Sequence, residues 1–328
     1  MNLTARLPLA VAVACLGALA PCRAQLNPDR LYYGVDRAIP MTLRAPADAK
    51  GEVEIALFEP LVDEPVATAA AAVGRVDLAG LFPSLWTTRE PKVRYAQAIV
   101  GGVRIGAPVV LQPMLEPAYA MLDRANRPAF KRLTENKLVY SGLRAYGDRL
   151  VVLDTSKGEI RIALRPDAAP NTAWNFRHLV EGGFYDGVQF HRVVAFKPNG
   201  DRFVIQTGDP TGTGDGGPGY YIDLENSPLP HDFGVVSMAR DSEPNTNGSQ
   251  FFICLGRAGV KHLDGAYTSF AQCVSGAEVV LAIAAAPVGP NDKPLEPPII
   301  RSATLVESPP YGQGAKPVTS PEVAPPGR

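Results

Sequence analysis

The chain has almost no net charge and few cysteines, and after its first 24 residues it has no long apolar run. Its 32 Lys and Arg oppose 33 Asp and Glu, a formal net charge of −1. We therefore expect no nucleic-acid partner, because no overall field is available to attract one. The 4 cysteines are too few for a disulfide scaffold of this length. Without a later apolar run of about 20 residues, we expect no stable membrane span in the mature chain.

The composition supports a folded, β-rich protein. Hydrophobic residues make up 46% of the 328 positions, enough for a sizeable core and for two ordinary domains. The 32 prolines are about twice the usual share, and they come with 31 glycines. A mostly helical bundle is excluded, because proline inside a helix breaks it.

Residues 1–24 have the layout of a secretory signal peptide. Arg6 supplies positive charge, an apolar run covers residues 7–20, and Ala24 offers a small residue at the cleavage point. We therefore expect an exported protein, periplasmic or secreted. Cleavage leaves Cys254 and Cys273, which we expect to be buried free thiols, with a disulfide between them as the alternative.

The rest of the chain divides by its strand and turn patterns. Short apolar runs at about ten-residue intervals over residues 26–114 predict a small β-sandwich, whose role and partner the sequence does not indicate. Helix formers around Pro128 predict two short helices between residues 116 and 135, inside a connector over 115–148. A second β-rich unit begins near residue 138. Six prolines after residue 307 predict a disordered tail over 308–328.

Residues 149–307 carry the strongest secondary-structure signals. Strands at 150–155 and 159–164 are joined by a tight turn containing Gly158. A helix is predicted from Pro170 to Glu181, because proline suits a first helical position and Gly182-Gly183 ends the run. A second helix is predicted over 277–285. Further strands are predicted at 188–194, 203–206, 235–239, 250–254, 268–273 and 299–306, which favours a closed barrel with helices at its ends.

Three stretches in this half resemble the cyclophilin family of peptidyl-prolyl isomerases. They are NFRHL (175–179) with GFYDGVQFHRV (183–193), FVIQTGDP (203–210) with GTG (212–214), and SMA (237–239) with PNTNGSQFFI (244–253). The resemblance covers about 149–307, and with the N-terminal segment it indicates an exported, bacterial-type member. It implies an eight-stranded antiparallel barrel with two helices, an isomerase of X–Pro peptide bonds and proline-containing polypeptides as partners.

The resemblance also implies a set of site residues. Arg192 would aim a donor at the prolyl nitrogen and Gln206 would orient it. A permanent cation in that position favours the twisted amide, whose nitrogen lone pair is no longer conjugated. The positions that match the proline pocket and the adjoining groove are Phe203, Val204, Gln250, Phe252, Leu263, Ala239, Arg240, Gly212, His262 and Tyr267.

Four features depart from the usual family pattern. Residues 195–202 lengthen the connection after Arg192 by about six positions, which we expect to reshape the mouth of the groove. His262 stands where many members have Trp, so we expect weak cyclosporin binding. Tyr267 replaces a frequent His, and Arg240 replaces a common Asn.

Other signals indicate no cofactor and no metal. Residues 212–217 satisfy G-x-G-x-x-G, but Pro218 follows, so no helix can begin there to meet a phosphate. The four histidines lack ligand spacing. The resemblance, together with the signal-peptide pattern, implies an isomerase that assists the folding of exported proteins. The alternative is a proline-peptide binding or assembly module in which turnover is incidental.

Overall fold

The computed structural model describes residues 25–46, 50–132 and 139–321. The expected signal peptide and the last seven residues of the tail lie outside these ranges. The described chain is mainly β-structure, arranged in two units. No helix in these ranges is long and apolar enough to cross a membrane.

The N-terminal unit consists of two antiparallel sheets over one apolar core. One sheet has the order β1-β3-β6 and the other β2-β11-β8-β7-β4-β5. Met41 and Leu43 from the first sheet share a cluster with Leu57, Leu111 and Leu143 from the second, all almost fully buried. The bounds are β1 (Gln25–Pro28), β2 (Tyr32–Gly34), β3 (Pro40–Arg44), β4 (Val53–Phe58), β5 (Ala67–Ala70), β6 (Gly74–Asp77), α1 (Leu78–Leu81), α2 (Ser84–Thr87), β7 (Arg94–Val100), β8 (Val103–Leu115), β9 (Tyr119–Leu122), β10 (Pro128–Lys131) and β11 (Tyr140–Gly147).

The predicted helical connector is wrong: β9 and β10 form an antiparallel hairpin there. The Asp123 carboxylate accepts hydrogen bonds from the N–H groups of Ala125 and Arg127 and stabilises the turn. Asn126 adopts φ 58°, a left-handed conformation that Asn tolerates better than most residues. Turn chemistry thus outweighs the helix propensity of the flanking residues. The structure also places β11 in the N-terminal sheet, so the second unit begins at Arg149, after the position near residue 138 that we expected.

The second unit is an eight-stranded antiparallel sheet in the order β14-β15-β17-β16-β18-β13-β12-β19. The sheet curls, and an isolated bridge between Gln189 and Ile299 links the segments that precede its two end strands. This agrees with the barrel architecture expected from the sequence. The bounds are β12 (Arg149–Thr155), β13 (Gly158–Leu164), α3 (Pro170–Glu181), β14 (Arg192–Phe196), β15 (Arg202–Thr207), β16 (Val235–Met238), β17 (Phe251–Cys254), α4 (Arg257–Val260), β18 (Ser269–Ser275), α5 (Ala277–Ala284), β19 (Ile300–Glu307) and two 3₁₀ turns (Lys261–Leu263 and Pro290–Asp292).

Helix α3 covers the core of this sheet, with the bounds that its proline and glycine signals predict. Phe176 is fully buried, and its ring centroid lies 5.0–5.1 Å from those of Tyr185, Phe251 and Phe270. Such aromatic packing supplies much of the apolar burial in a core. Cys254 and Cys273 are buried free thiols, and burial raises the pKa of Cys273 to about 12.

Alternating aromatic rings and guanidinium groups join the two units. The Trp174 ring on α3 lies 4.8 Å from the Tyr146 ring on β11. The Arg144 and Arg177 guanidinium carbons lie 4.9 and 5.2 Å from the Trp174 ring. Cation–π pairs contribute most where the cation is partly desolvated, as it is between packed units.

The C-terminal segment departs from the predicted disorder where the structure describes it. The Tyr311 ring lies 4.7 Å from Phe58 and 5.0 Å from Tyr95, and its hydroxyl donates to the Glu59 carbonyl at 2.6 Å. Tyr311 thereby anchors the chain that leaves the second unit onto the N-terminal unit. An apolar ring with one polar end explains why this segment packs despite its prolines.

We expect Trp174→Ala to destabilise the full chain by about 2 to 3 kcal/mol, because it removes a partly buried ring and two cation–π contacts. Urea unfolding measures the change, and it is followed by far-ultraviolet circular dichroism because the substitution removes a tryptophan. Val103→Ala, at a side chain that is 61% exposed, is the control and should stay within about 0.5 kcal/mol. Equal stabilities of the two variants would contradict a stabilising interface.

Candidate active site

The site lies on the outer face of the curled sheet, because side chains alternate along β15 and β17. Ile205 and Ile253 are paired in register and point into the buried core. Their neighbours Val204, Gln206 and Phe252 therefore face the other side. One layer of the sheet thus supplies both the core and the platform of the site.

Arg192 is held by cross-strand pairing. It lies opposite Gln206 in the β14–β15 register, and its Nη1 donates to Gln206 Oε1 at 3.3 Å. Gln206 Nε2 in turn donates to Gln250 Oε1 at 3.0 Å. This chain of hydrogen bonds restrains a guanidinium whose side chain is 41% exposed.

An apolar pocket lies beside this polar chain. The four residues predicted for the proline pocket occur in one cluster: Val204, Phe252 and Leu263 are buried, and Phe203 is partly buried. Ala239 and Tyr267 pack against the same cluster. The structure therefore brings together residues up to 60 positions apart in the sequence.

His231, which the sequence analysis did not assign to the site, supports the pocket from behind. Its ring stacks on Phe252 with centroids 6.1 Å apart. Its Nδ1 lies 2.9 Å from Asp264 Oδ1, and its Nε2 lies 2.9 Å from Ser237 Oγ. Burial lowers the pKa of His231, although the Asp264 hydrogen bond opposes it. Burial also raises the pKa of Asp264, but hydrogen bonds from Arg257 and His231 outweigh this and lower it to about 2.

The glycine-rich loop after β15 is organised by a buried carboxylate. Asp209 accepts hydrogen bonds from the N–H groups of Thr211 at 2.7 Å and Gly214 at 2.6 Å. These bonds outweigh burial and hold the pKa of Asp209 well below its usual range. A Cβ on Gly216 would collide with the Asp209 carboxylate, so this close approach requires glycine.

The same loop forms one wall of a cavity of about 690 Å³. Gln250 Nε2 donates to the carbonyls of Gly214 and Gly216 at 2.7 and 2.9 Å, which fixes the loop against the site. Ala239 and Arg240 also line this cavity. The full lining is Gln206, Gly214, Asp215, Gly216, Gly217, Pro218, Gly219, Tyr220, Tyr221, Ala239, Arg240, Asp241, Thr246, Gly248, Ser249 and Gln250.

Gly212, which the resemblance assigns to the groove, is not among the residues that line this cavity. Its φ is +67°, and a Cβ there would overlap the Gln189 amide. Its carbonyl accepts a hydrogen bond from Lys293 Nζ at 3.5 Å. Gly212 therefore shapes the loop and its contact with residues 290–293.

His262, Tyr267 and Arg240, three of the predicted site residues, contact one another or the pocket rings. His262 stacks on Phe203 at 6.1 Å, and Tyr267 meets Phe252 edge-on at 5.8 Å. The Arg240 guanidinium lies 4.7 Å from the Tyr267 ring, and its Nε donates to a backbone carbonyl. Through these contacts, the side chains of His262, Tyr267 and Arg240 form part of the pocket wall.

Residues 195–202, which the resemblance marks as an insertion, form the turn end of the β14–β15 hairpin beside the pocket. Phe196 pairs with Arg202, and the Lys197 N–H donates to the Asp201 carbonyl at 2.8 Å. Lys197 Nζ lies 5.2 Å from the Phe203 ring and donates to the Gly259 carbonyl at 3.4 Å. The insertion thus adds a cation beside the ring of Phe203.

Asp292 is a second residue that sequence reasoning missed. Its Oδ2 lies 3.6 Å from Arg192 Nε. It lies 100 positions further along the chain, in an irregular loop, and only the fold brings the two together. No sequence motif marks it.

The arrangement is suited to binding and polarising rather than to bond cleavage. A permanent cation lies beside an apolar hollow, with amide groups and a cavity alongside. In the part of the chain that the structure describes, no three His, Cys, Asp or Glu side chains are grouped as a metal site.

Comparison with known proteins identifies relatives of the second unit. The family model described as "Cyclophilin type peptidyl-prolyl cis-trans isomerase/CLD" matches residues 150–305. Peptidyl-prolyl cis-trans isomerase ppi1 of Schizosaccharomyces pombe is 44% identical over 161 residues, 47% of this chain and 98% of that protein. Peptidyl-prolyl cis-trans isomerase-like 1 of Rhizopus delemar is 46% identical over 148 residues, 44% of this chain and 84% of that protein.

Two further comparisons concern a sequence relative and a solved structure. A peptidyl-prolyl cis-trans isomerase of Synechococcus elongatus is 48% identical over 121 residues, 37% of this chain and 77% of that protein. A cyclophilin type isomerase of Cryptosporidium parvum, whose structure was solved in the presence of the dipeptide Ala-Pro, is 34% identical. It covers 48% of this chain and 98% of that chain, with a TM-score of 0.44.

We expect acid to destabilise the protein partly through His231. Because its pKa is lowered in the folded chain, the unfolded chain binds the proton more readily. His231 therefore makes its full contribution to stability above about pH 6.5, its pKa in the unfolded chain. The free energy of unfolding falls as the pH drops below that value. Urea unfolding at about pH 7.5 and 5.5 should show a smaller acid loss in His231→Gln than in wild type. The exposed His178→Gln is the control, and an unchanged acid loss in His231→Gln would contradict this assignment.

Proposed function

The chain belongs to the cyclophilin-type peptidyl-prolyl cis–trans isomerase family, and we propose that Arg192 is the catalytic residue of its X–Pro isomerisation. The observation that carries this proposal is the restrained Arg192–Gln206 pair beside the apolar cluster of Phe203, Val204, Phe252 and Leu263.

The reaction needs stabilisation of a twisted amide. Resonance sets a rotation barrier of about 18–20 kcal/mol, and uncatalysed exchange takes tens to hundreds of seconds. Midway through rotation the prolyl nitrogen loses conjugation and its lone pair becomes a better acceptor. A donor aimed at that nitrogen therefore binds the twisted state more strongly than either planar state, which is the requirement for catalysis.

Arg192 fits this donor role for two physical reasons. Its guanidinium is always charged and presents donors in a rigid plane. The hydrogen bond to Gln206 orients it before the substrate arrives, so that less reorganisation accompanies the reaction. The neighbouring apolar cluster would receive the proline ring, with Val204, Phe252 and Leu263 already desolvated.

The flanks of the substrate would lie in the adjoining groove. Gln250 presents its side chain between Gln206 and the loop carbonyls of Gly214 and Gly216. The 690 Å³ cavity beyond it has room for a side chain of a residue near the proline. Because His262 replaces a Trp that contacts cyclosporin in many relatives, we propose that cyclosporin binds weakly.

We expect Arg192→Ala to lower kcat/KM by about 100-fold or more, the usual loss when one transition-state donor is removed. A protease-coupled assay on a proline tetrapeptide measures it. Arg301→Ala is the matched control, since Arg301 is an exposed arginine of β19 that pairs with Asp154. Equal rates for wild type and Arg192→Ala would contradict catalysis by this site.

The alternative role, proline-peptide binding with incidental turnover, makes a different prediction for cells. Arg192→Ala leaves the apolar pocket in place, so peptide affinity should change much less than exchange. If the variant fully restores the function of a strain lacking the gene, binding is the relevant activity. If the variant does not restore that function but still binds peptide normally, isomerisation is the relevant activity.

We further propose that the protein is exported and assists the folding of exported proteins. Residues 1–24 have the composition of a signal peptide. Cleavage after Ala24 would leave the fold intact, because Gln25 is the first residue of β1.

We expect the mature protein to begin at Gln25 and to occur outside the cytoplasm. Cell fractionation and N-terminal sequencing of the purified protein test this. A chain that lacks residues 2–24 is the control and should remain in the cytoplasm. A full-length protein that keeps residues 1–24 and stays with the cytoplasmic fraction would contradict the proposal.

A further inference from the structure

The Arg192 guanidinium forms an ion pair with a residue from a distant loop, through a different nitrogen from the one that contacts Gln206. Gln206 Oε1 accepts from Nη1, whereas Asp292 Oδ2 lies 3.6 Å from Nε. The Arg192 and Asp292 side chains are 41% and 46% exposed. Such an exposed ion pair contributes little to stability, so its effect should appear in the orientation of the arginine.

The loop that carries Asp292 has an uncommon backbone conformation that its own hydrogen bonds close. Asn291 and Asp292 have φ of 60° and 58°, two consecutive left-handed residues that are not glycine. The loop is closed by hydrogen bonds from the Gly289 N–H to the Lys293 carbonyl and from the Lys293 N–H to the Pro290 carbonyl. Unfavourable backbone conformations persist where the surrounding structure over-determines them, and they concentrate at functional sites.

The adjacent residue extends the same contact to the groove. Lys293 Nζ donates to the Gly212 carbonyl at 3.5 Å, on the loop that follows β15. Neighbouring side chains of one turn thus reach the arginine and the glycine-rich loop. The turn is placed to couple the position of Arg192 to the rest of the site.

We infer that Asp292 is a positioning residue that orients Arg192 for isomerisation. This inference rests on the proposed role of Arg192. The Asp292 carboxylate attracts the Nε side of the guanidinium at ion-pair distance, whereas the single hydrogen bond to Gln206 leaves rotation about that contact. Nη2 is the nitrogen that neither contact uses, so it remains available to the prolyl nitrogen. A long, partly exposed arginine otherwise samples many rotamers, and orientation before binding is what such a donor needs.

The test compares Asp292→Gly with Asn291→Gly in the full chain. Both substitutions suit a left-handed backbone, but only the first removes the carboxylate. We expect kcat for a proline tetrapeptide to fall about three- to fivefold in Asp292→Gly, in line with the strength of exposed ion pairs. Asn291→Gly should match wild type. Asp292→Asn keeps a polar acceptor in reach of Nε and should recover part of the loss.

Two further measurements separate positioning from a merely structural role. Peptide affinity, measured by calorimetry on the same variants, should stay within about twofold of wild type, because the pocket is unchanged. Asp292→Gly added to Arg192→Ala should have no further effect on the residual exchange rate, because Asp292 acts through Arg192.

Each contrary outcome overturns a definite claim. Three outcomes would overturn only the inference about Asp292. They are a wild-type kcat in Asp292→Gly, an equal loss in Asn291→Gly, and a further loss from Asp292→Gly in the Arg192→Ala background. Loss of peptide affinity in proportion to the loss of kcat/KM would do the same. A wild-type rate in Arg192→Ala would instead overturn the proposed catalytic role of Arg192, and the inference about Asp292 with it.

Discussion

The contact between the Arg192 guanidinium and the Gln206 carboxamide is the interaction on which the site depends. It exists because β14 and β15 pair in a register that sets these two residues opposite each other. The same register sends Ile205 into the core, so a slip of one residue would exchange the core face and the site face. The strand register that packs the barrel core therefore also places Arg192 opposite Gln206.

Around this pair, the site is assembled from segments that are distant in the chain. His231 stacks behind Phe252, and the loop organised by Asp209 meets Gln250. Hydrogen bonds join the polar side chains of Arg192, Gln206 and Gln250 beside the pocket. The N-terminal unit packs against the second unit through Trp174, on the helix that covers the barrel.

Prediction from sequence succeeded where a local pattern is strong. Pro170 and Gly182 mark the two ends of α3, and the structure confirms them. It failed where two local preferences compete. Between β8 and β11 the helix formers suggested helices, whereas the Asp123 turn produces a hairpin. In the tail, proline content suggested disorder, whereas the Tyr311 ring and the hydrogen bond from the Val318 N–H to the Cys273 carbonyl anchor the segment.

The amino-acid sequence by itself determined the family of the second unit and the candidate residues of its pocket, because residues such as Arg192, Gln206 and Phe252 lie in motifs whose order and spacing are distinctive. Only the tertiary structure decided what surrounds them. Asp292, His231 and the interface at Trp174 are contacts between segments far apart in the chain. Such contacts depend on strand order and curvature of the sheet, and no local periodicity encodes them.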